Sequence, residues 1–140
     1  MVSRSTLVDS NVLLDIVTND PQWAQWSSSA LSAALDAGTV LINPIVYAEV
    51  SVGFDRIEDL DDVLPTTHFV REELPWAVGF LAGKAFLDYR RRGGARLTPL
   101  PDSYIGAHAA VAGHRLLTRD RRRYATSFPG AELIAPSTSN

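Results

Sequence analysis

The sequence predicts an α/β fold: a three-layer α/β/α sandwich with a mostly parallel central sheet. Three observations lead there. Short apolar runs of strand length, at residues 6–8, 40–42 and 116–118, alternate with longer stretches of helical periodicity. Such alternation builds a parallel sheet with helices on both faces. The chain has 140 residues and 46% hydrophobic content, which suits one globular core. No internal repeat or low-complexity stretch divides it, so residues 1–134 are expected to form a single domain, with a polar tail over 135–140.

Taken in order, Thr6, Leu7 and Val8 read as a short buried strand ended by Asp9. Ser10 and Asn11 read as a turn and helix cap, with a helix from about 11 to 19. Pro21 opens a second helix, capped by Asp20. Trp23, Trp26, Ala30, Leu31, Ala34 and Leu35 recur there at helical spacing, and Gly38 stops it. After the strand 40–42, Asn43 and Pro44 cap and open a third helix running to about Gly53. That helix is apolar nearly all round and is expected to be largely buried. Glu49 is its single acid. Residues 55–64 form an acidic amphipathic segment with a solvated face. A brief extended piece is expected around His68, Phe69 and Val70.

Pro75 starts a long helix through Trp76, Phe80, Leu81, Ala85 and Tyr89. Arg90, Arg91 and Arg92 favour its negative C-terminal end, and Gly93-Gly94 ends it. Residues 96–101 read as a loop. Asp102 begins a helix rich in small residues, ending near Gly113. Residues 116–118 are a strand, followed by Arg119, Asp120 and a basic turn or short helix to Tyr124. Residues 131–134 can add an edge strand.

Composition narrows the chemistry. There is no cysteine, which removes disulfides and thiolate metal sites. No stretch approaches the length of a membrane span, so a soluble, cytoplasmic protein is expected, with no membrane partner. The formal net charge is −3, which argues mildly against nucleic-acid binding. The distribution is local, however: arginines gather at 90–92 and 119–123, acids at 55–62. A basic rim around an acidic pocket and an ordinary mixed surface both fit that pattern.

Four acids stand out: Asp9 ends the first strand, Glu49 lies inside the helix after the second, Asp102 starts a helix after a loop, and Asp120 lies just past a later strand. In a doubly wound sheet these positions converge on one edge. Carboxylates brought together repel one another and raise each other's pKa, and a divalent cation reverses the sign of that interaction. Hard oxygen donors without cysteine or paired histidines favour Mg2+ or Mn2+. Such an ion can activate water and neutralise charge on a phosphoryl group, which suits phosphodiester hydrolysis. Each acid also has a plainer reading. Asp9 and Asp102 are good helix caps, Asp120 can pair with a neighbouring arginine, and so can Glu49. The combination and its order carry the signal.

The motifs 7–15 (LVDSNVLLD), 48–50 (AEV), 101–109 (PDSYIGAHA) and 116–120 (LLTRD) resemble those of the PIN-domain family, and within it the VapC toxins of bacterial toxin–antitoxin pairs. The resemblance spans about 7–134 and implies a PIN-like fold and a metal-dependent ribonuclease. It implies that Asp9, Glu49, Asp102 and Asp120 form the catalytic acid site, with Asp9 and Asp102 the most direct metal ligands. Glu49 and Asp120 would place water or a second ion. Thr118, two residues before the last acid, would bond a carboxylate or a metal-bound water, though an ordinary strand threonine fits as well. Asn11 would support Asp9. The implied cofactor is Mg2+ or Mn2+. The implied partners are an RNA substrate, cut to leave a 5′-phosphate and a 3′-hydroxyl, and a VapB-like antitoxin. A homodimer is expected, with the helix around 76–87 as a possible interface. Two residue features depart from the family pattern: the run Arg121-Arg122-Arg123, and residues 66–75, which match nothing in it.

Arg119, Arg121 and Arg122 are the best candidates for holding RNA phosphates, with a solvated face as the alternative. His108 lies six residues past Asp102 and is expected to pack rather than ligate. His68 and His114 look isolated and structural. Trp23, Trp26 and Trp76 have core or interface spacing. A non-catalytic PIN-like binding module is the alternative function. A receiver-type signalling domain is weaker still, because it needs a lysine at a late strand end, and the only lysine, Lys84, sits within a helix.

Overall fold

The computed structural model describes residues 4–95 and 100–137. Its elements are β1 (Thr6–Val8), α1 (Ser10–Val17), α2 (Ala24–Ala37), β2 (Val40–Ile42), α3 (Pro44–Ser51), α4 (Ile57–Val63), β3 (Val70–Arg71), α5 (Trp76–Arg91), α6 (Pro101–Ala112), β4 (Arg115–Leu117), α7 (Arg121–Ala125) and β5 (Leu133–Ile134). The expected loop over 96–101 lies mostly outside the described residues, as do Arg96 and the last three residues of the expected tail.

The five strands form one sheet in the order β3-β2-β1-β4-β5, and every neighbouring pair is parallel. Successive strands step outward from β1 to β3, then the chain crosses back to β4 on the other side of β1. Right-handed crossovers put α1–α4 on one face and α5–α7 on the other. The order reverses between β1 and β4, and the crevice beyond their carboxyl ends is where open α/β sheets bind ligands. The central strands are covered on both sides, so Leu7, Val8, Ile42, Leu116 and Leu117 are buried and read as unbroken apolar runs.

On one face α5 packs along α6; Val78, Ala82 and Ala85 of α5 and Ile105, Ala107 and Ala109 of α6 are all buried in the core. The small residues of α6 have a further use. A Cβ on Gly106 would lie 2.4 Å from the Phe128 ring, so only glycine lets the segment after α7 close over α6. Gly113 takes a left-handed φ of 73° to end α6.

Several boundaries differ from the sequence reading, each for a local reason. Helix α1 begins at Ser10 rather than after it, with Asp9 as the flanking residue. Asp20 accepts from the backbone N–H of Gln22 and Trp23, so it caps a turn over 20–23 and α2 proper starts at Ala24. Helix α3 is buried along one side only, at Val46 and Val50, while Val52 just beyond it faces solvent. Strand β3 lies later than expected, pairing Leu41 with Val70 and Ile42 with Arg71. Trp76 is not core: it is 97% exposed at the first turn of α5, with Phe80 beside it one turn on. Among the described residues no helix is long and apolar enough to cross a membrane.

Candidate acid site at the sheet edge

Asp9 follows β1 and is 1% exposed. Its backbone is extended (φ −70°, ψ 147°), and its carboxylate does not cap α1. The carboxylate is engaged elsewhere. Oδ2 accepts from the Thr118 hydroxyl at 2.9 Å and the Tyr124 hydroxyl at 2.8 Å. The Ser10 hydroxyl lies 3.5 Å from Oδ1, but it has one proton and donates it to Glu49 Oε1 at 2.8 Å. Asp9 is thus a buried carboxylate held by hydroxyls, with no ion pair among the described residues.

Asp102 occupies the first turn of α6, just after Pro101, with its side chain 27% exposed. Asp120 precedes α7 and caps it, accepting from the Arg123 N–H at 3.3 Å. The Arg123 guanidinium lies between these two acids, with Nε 3.1 Å from Asp102 Oδ2 and 3.3 Å from Asp120 Oδ2. The Asp102 carboxyl is pushed up to about 6. Burial is the largest cause; Arg123 opposes it, and the charges of Asp9, Glu49 and Asp120 push further upward. The four acids singled out from sequence therefore share one electrostatic neighbourhood at the carboxyl edge of β1 and β4. Burial works against the charge on Arg123, but Asp102 and Asp120 more than offset it and hold the guanidinium above its ordinary range. Burial and Asp9 likewise push the Tyr124 hydroxyl up, so it is a fixed donor to the carboxylate.

Thr118 sits just beyond β4 and is fully buried. Its oxygen donates to Asp9 and accepts the Asp120 N–H at 3.1 Å, so one side chain locks two of the acids together. Asn11 does not hold its own turn. It reaches across to the other strand end, donating to Thr118 Oγ1 at 3.4 Å and accepting from the Arg119 N–H at 3.3 Å. It supports Asp9 indirectly, through Thr118.

Arg119 has a different occupation from the one expected. Its guanidinium forms a paired contact with Asp15, at 2.9 and 3.0 Å, and stands 5.5 Å from the centre of the Trp23 ring. Ser27 donates to the same carboxylate at 2.8 Å. Asp15, buried in α1, thus anchors the loop that carries Asp120. Arg121 reaches the Ala135 carbonyl at 3.4 Å, while Arg122 is exposed.

A second cluster was not foreseen. His114 is not isolated: Glu72 Oε1 lies 2.7 Å from His108 Nε2 and 2.6 Å from His114 Nε2, and Ser5 bonds His114 Nδ1. These three residues have the spacing of a metal-binding group, which no three of the four acids reach among the described residues. Hydrogen bonding argues otherwise for His108. Asn43 Oδ1 accepts from the Val46 N–H, so its amide nitrogen must face His108 Nδ1, at 2.9 Å. His108 Nδ1 therefore accepts and Nε2 carries the proton that Glu72 receives, leaving no lone pair there for a metal. Burial lowers the His108 pKa, which keeps the ring neutral. The cluster is a polar strut joining β3, α6 and the start of β4.

Sequence reasoning missed Ser10, Arg123 and Tyr124. The signal was present for two of them: Ser10 adjoins Asp9, and Arg123 falls one helical turn past Asp120.

The donor set fits a hard divalent cation. It is made of carboxylate oxygens, Asp9 is buried in no ion pair among the described residues, and a guanidinium already stands between Asp102 and Asp120.

A family model described as PIN domain matches residues 6–129. No curated protein sequence matches the chain. Several solved structures share its fold, among them three toxin–antitoxin complexes. VapBC2 from Rickettsia felis, bound to a DNA fragment from their promoter, has a TM-score of 0.72 at 17% identity, covering 95% of this chain and 99% of that one. VapBC-1 from nontypeable Haemophilus influenzae gives 0.71 at 15%, covering 94% and 97%. A toxin–antitoxin complex from Klebsiella pneumoniae gives 0.68 at 21%, covering 94% and 98%.

Proposed function

Because the chain belongs to the PIN-domain family, we propose that it is a metal-dependent endoribonuclease, the toxin of a VapC-like toxin–antitoxin pair. One observation carries the chemistry: Asp9 is a buried carboxylate in no ion pair among the described residues, and burial together with the charges of Asp9, Glu49 and Asp120 lifts Asp102. Structural, non-catalytic acids at a sheet edge would be capped or ion-paired, and Asp9 is neither.

In this reading Asp9 and Asp102 would hold a Mg2+ or Mn2+ ion directly, with Glu49 and Asp120 placing water around it. When bound, the ion supplies Lewis acidity and lowers the pKa of a coordinated water. The chain's own residues do the positioning. Thr118 and Tyr124 fix the Asp9 rotamer by two hydrogen bonds to one oxygen, leaving Oδ1 directed away from them. Ser10 orients Glu49. The Asp15–Arg119 pair and Asn11 hold the loop that presents Asp120. Arg121 and Arg122 face the phosphates of the RNA, whereas Arg119 acts through Asp15. The Glu72–His108–His114 strut keeps α6, and with it Asp102, in register.

The proposed partner is a VapB-like antitoxin, supported by the shared fold of the VapBC complexes. A homodimer is proposed through α5, whose Trp76 and Phe80 are exposed large apolar side chains. Activity is proposed in the cytoplasm.

Calorimetry with Mn2+ tests the reading, comparing the parent with Asp9→Asn and Asp102→Asn and following with RNA cleavage. Loss of binding in both variants and metal-dependent cleavage by the parent are expected. A parent that binds no Mn2+ would end the enzyme reading; a parent that binds Mn2+ but cuts no RNA would favour a non-catalytic module.

A further inference from the structure

A cavity of about 250 Å3 opens beside the acid site and shares Asp102 and Arg123 with it. Its walls come from the end of α5, the start of α6 and α7. Arg92 and Arg122 are exposed, and neither forms an ion pair among the described residues. Ser103, Thr126 and Ser127 add hydroxyls, Ala85, Leu100 and Phe128 make an apolar floor, and Tyr89 contributes a half-buried ring. Asp102 is the single acid in the lining, and Arg123 already faces it. Arg92 and Arg122, in no ion pair among the described residues, line the pocket together with the Tyr89 ring, so it has the chemistry of an anion site with a stacking surface.

We infer that this pocket receives the nucleotide adjoining the scissile phosphate, its phosphate between Arg92 and Arg122 and its base against Tyr89. The inference rests on the ribonuclease reading and deepens it by naming a subsite. Guanidinium forks match phosphate oxygens, and base stacking on an aromatic ring tolerates any base. The volume suits one nucleotide and excludes a duplex. A strand whose reacting phosphate lies over the acids must continue past Asp102, and the cavity begins there. Tyr89 is held for that purpose. Its ring lies against Gly94, where a Cβ would come within 2.2 Å, and it stacks near Phe86 at 6.2 Å between centroids.

The test is fluorescence anisotropy with a short labelled oligoribonucleotide in EDTA, so that binding is read without cleavage. The Arg92→Met/Arg122→Met double variant is expected to bind at least tenfold more weakly. Its plot of log affinity against log salt should flatten by about 0.7, for the one single-strand phosphate no longer neutralised. Arg92→Lys/Arg122→Lys should restore the slope. Tyr89→Leu should weaken binding several-fold with the slope unchanged, and Arg56→Met, on an exposed and remote arginine, should match the parent. An unmoved affinity and slope in the double methionine variant overturns the subsite. If the parent still cleaves RNA with Mn2+ in that case, the enzyme reading stands and the pocket alone falls. If the parent binds no oligoribonucleotide and no Mn2+, both fall together. Binding of an acidic peptide but not of RNA also overturns the subsite and assigns the arginines to a protein partner.

Discussion

Replacing Asp102 by asparagine should make the metal-free protein more stable, and by an amount that depends on pH in a defined way. The fold holds the Asp102 carboxyl near 6 against an ordinary value of 3.8. Between those pH values the folded chain keeps a proton that the unfolded chain has released. The stability contribution of Asp102 is thus fully present below 3.8 and is lost as pH rises through about 6. Roughly two pH units at about 1.36 kcal/mol each give a ceiling of about 3 kcal/mol. The side chain is 27% exposed, so solvent screening is modest. Arg123 loses a partly exposed partner in the variant, which takes back up to about 1 kcal/mol. The expected net gain is about 1–2 kcal/mol at pH 8. Urea denaturation of parent and Asp102→Asn in EDTA, from pH 4 to pH 8, measures it. The difference between the two should be near zero at pH 4, rise through pH 5 and 6, and level off above. Taking the difference removes the opposite trend from His108, whose lowered pKa costs stability as pH falls below 6.5. A flat difference curve, or a variant less stable than the parent at pH 8, would refute the claim that burial, helped by the neighbouring acids, holds the Asp102 carboxyl up.

Three further outcomes are expected. Tyr124→Phe removes one of two hydroxyl donors to a buried carboxylate and should cost about 1.5–3 kcal/mol in urea melts, with a parallel loss of Mn2+ affinity by calorimetry. Gly106→Val places side-chain atoms inside the Phe128 ring and should destabilise by at least about 1–3 kcal/mol, or prevent folding, as seen by circular dichroism. Arg119→Met strands Asp15 in the core with Ser27 as its remaining hydrogen-bond donor and should cost about 3 kcal/mol or more. Asp15→Asn combined with Arg119→Met should recover part of that loss in a double-mutant cycle.

The sheet was legible because its inner strands are buried on both faces and leave unbroken apolar runs; Thr6–Val8 and Val40–Ile42 are found where their composition predicts. The acids were legible because Asp9 and Asp120 follow strand-like runs, Asp102 opens a helix and Glu49 is the single acid of an apolar one, an ordered set that caps and ion pairs alone do not predict. What escaped was set by contacts between distant segments. Nothing near Arg119 in sequence announces Asp15, which lies 104 residues earlier. Glu72, His108 and His114 come from three elements that meet only when α6 crosses the sheet. Trp76 has core spacing, but the spacing of α5 defines two stripes, and only the one at Val78, Ala82 and Ala85 turns toward α6.

The placement of β1 between β2 and β4 has a consequence for synthesis on the ribosome. Asp9 is made more than 100 residues before its two hydroxyl donors, Thr118 and Tyr124, and the arginine that balances Asp102 also follows residue 114. A nascent chain carrying β1, β2 and β3 has an open edge where β4 belongs and one unsupported carboxylate. The pairing that completes the acid site spans more than 100 residues, so it closes late. The acid site, whatever its chemistry, is therefore incomplete while the chain is being made and is assembled only once residues 115–124 have docked.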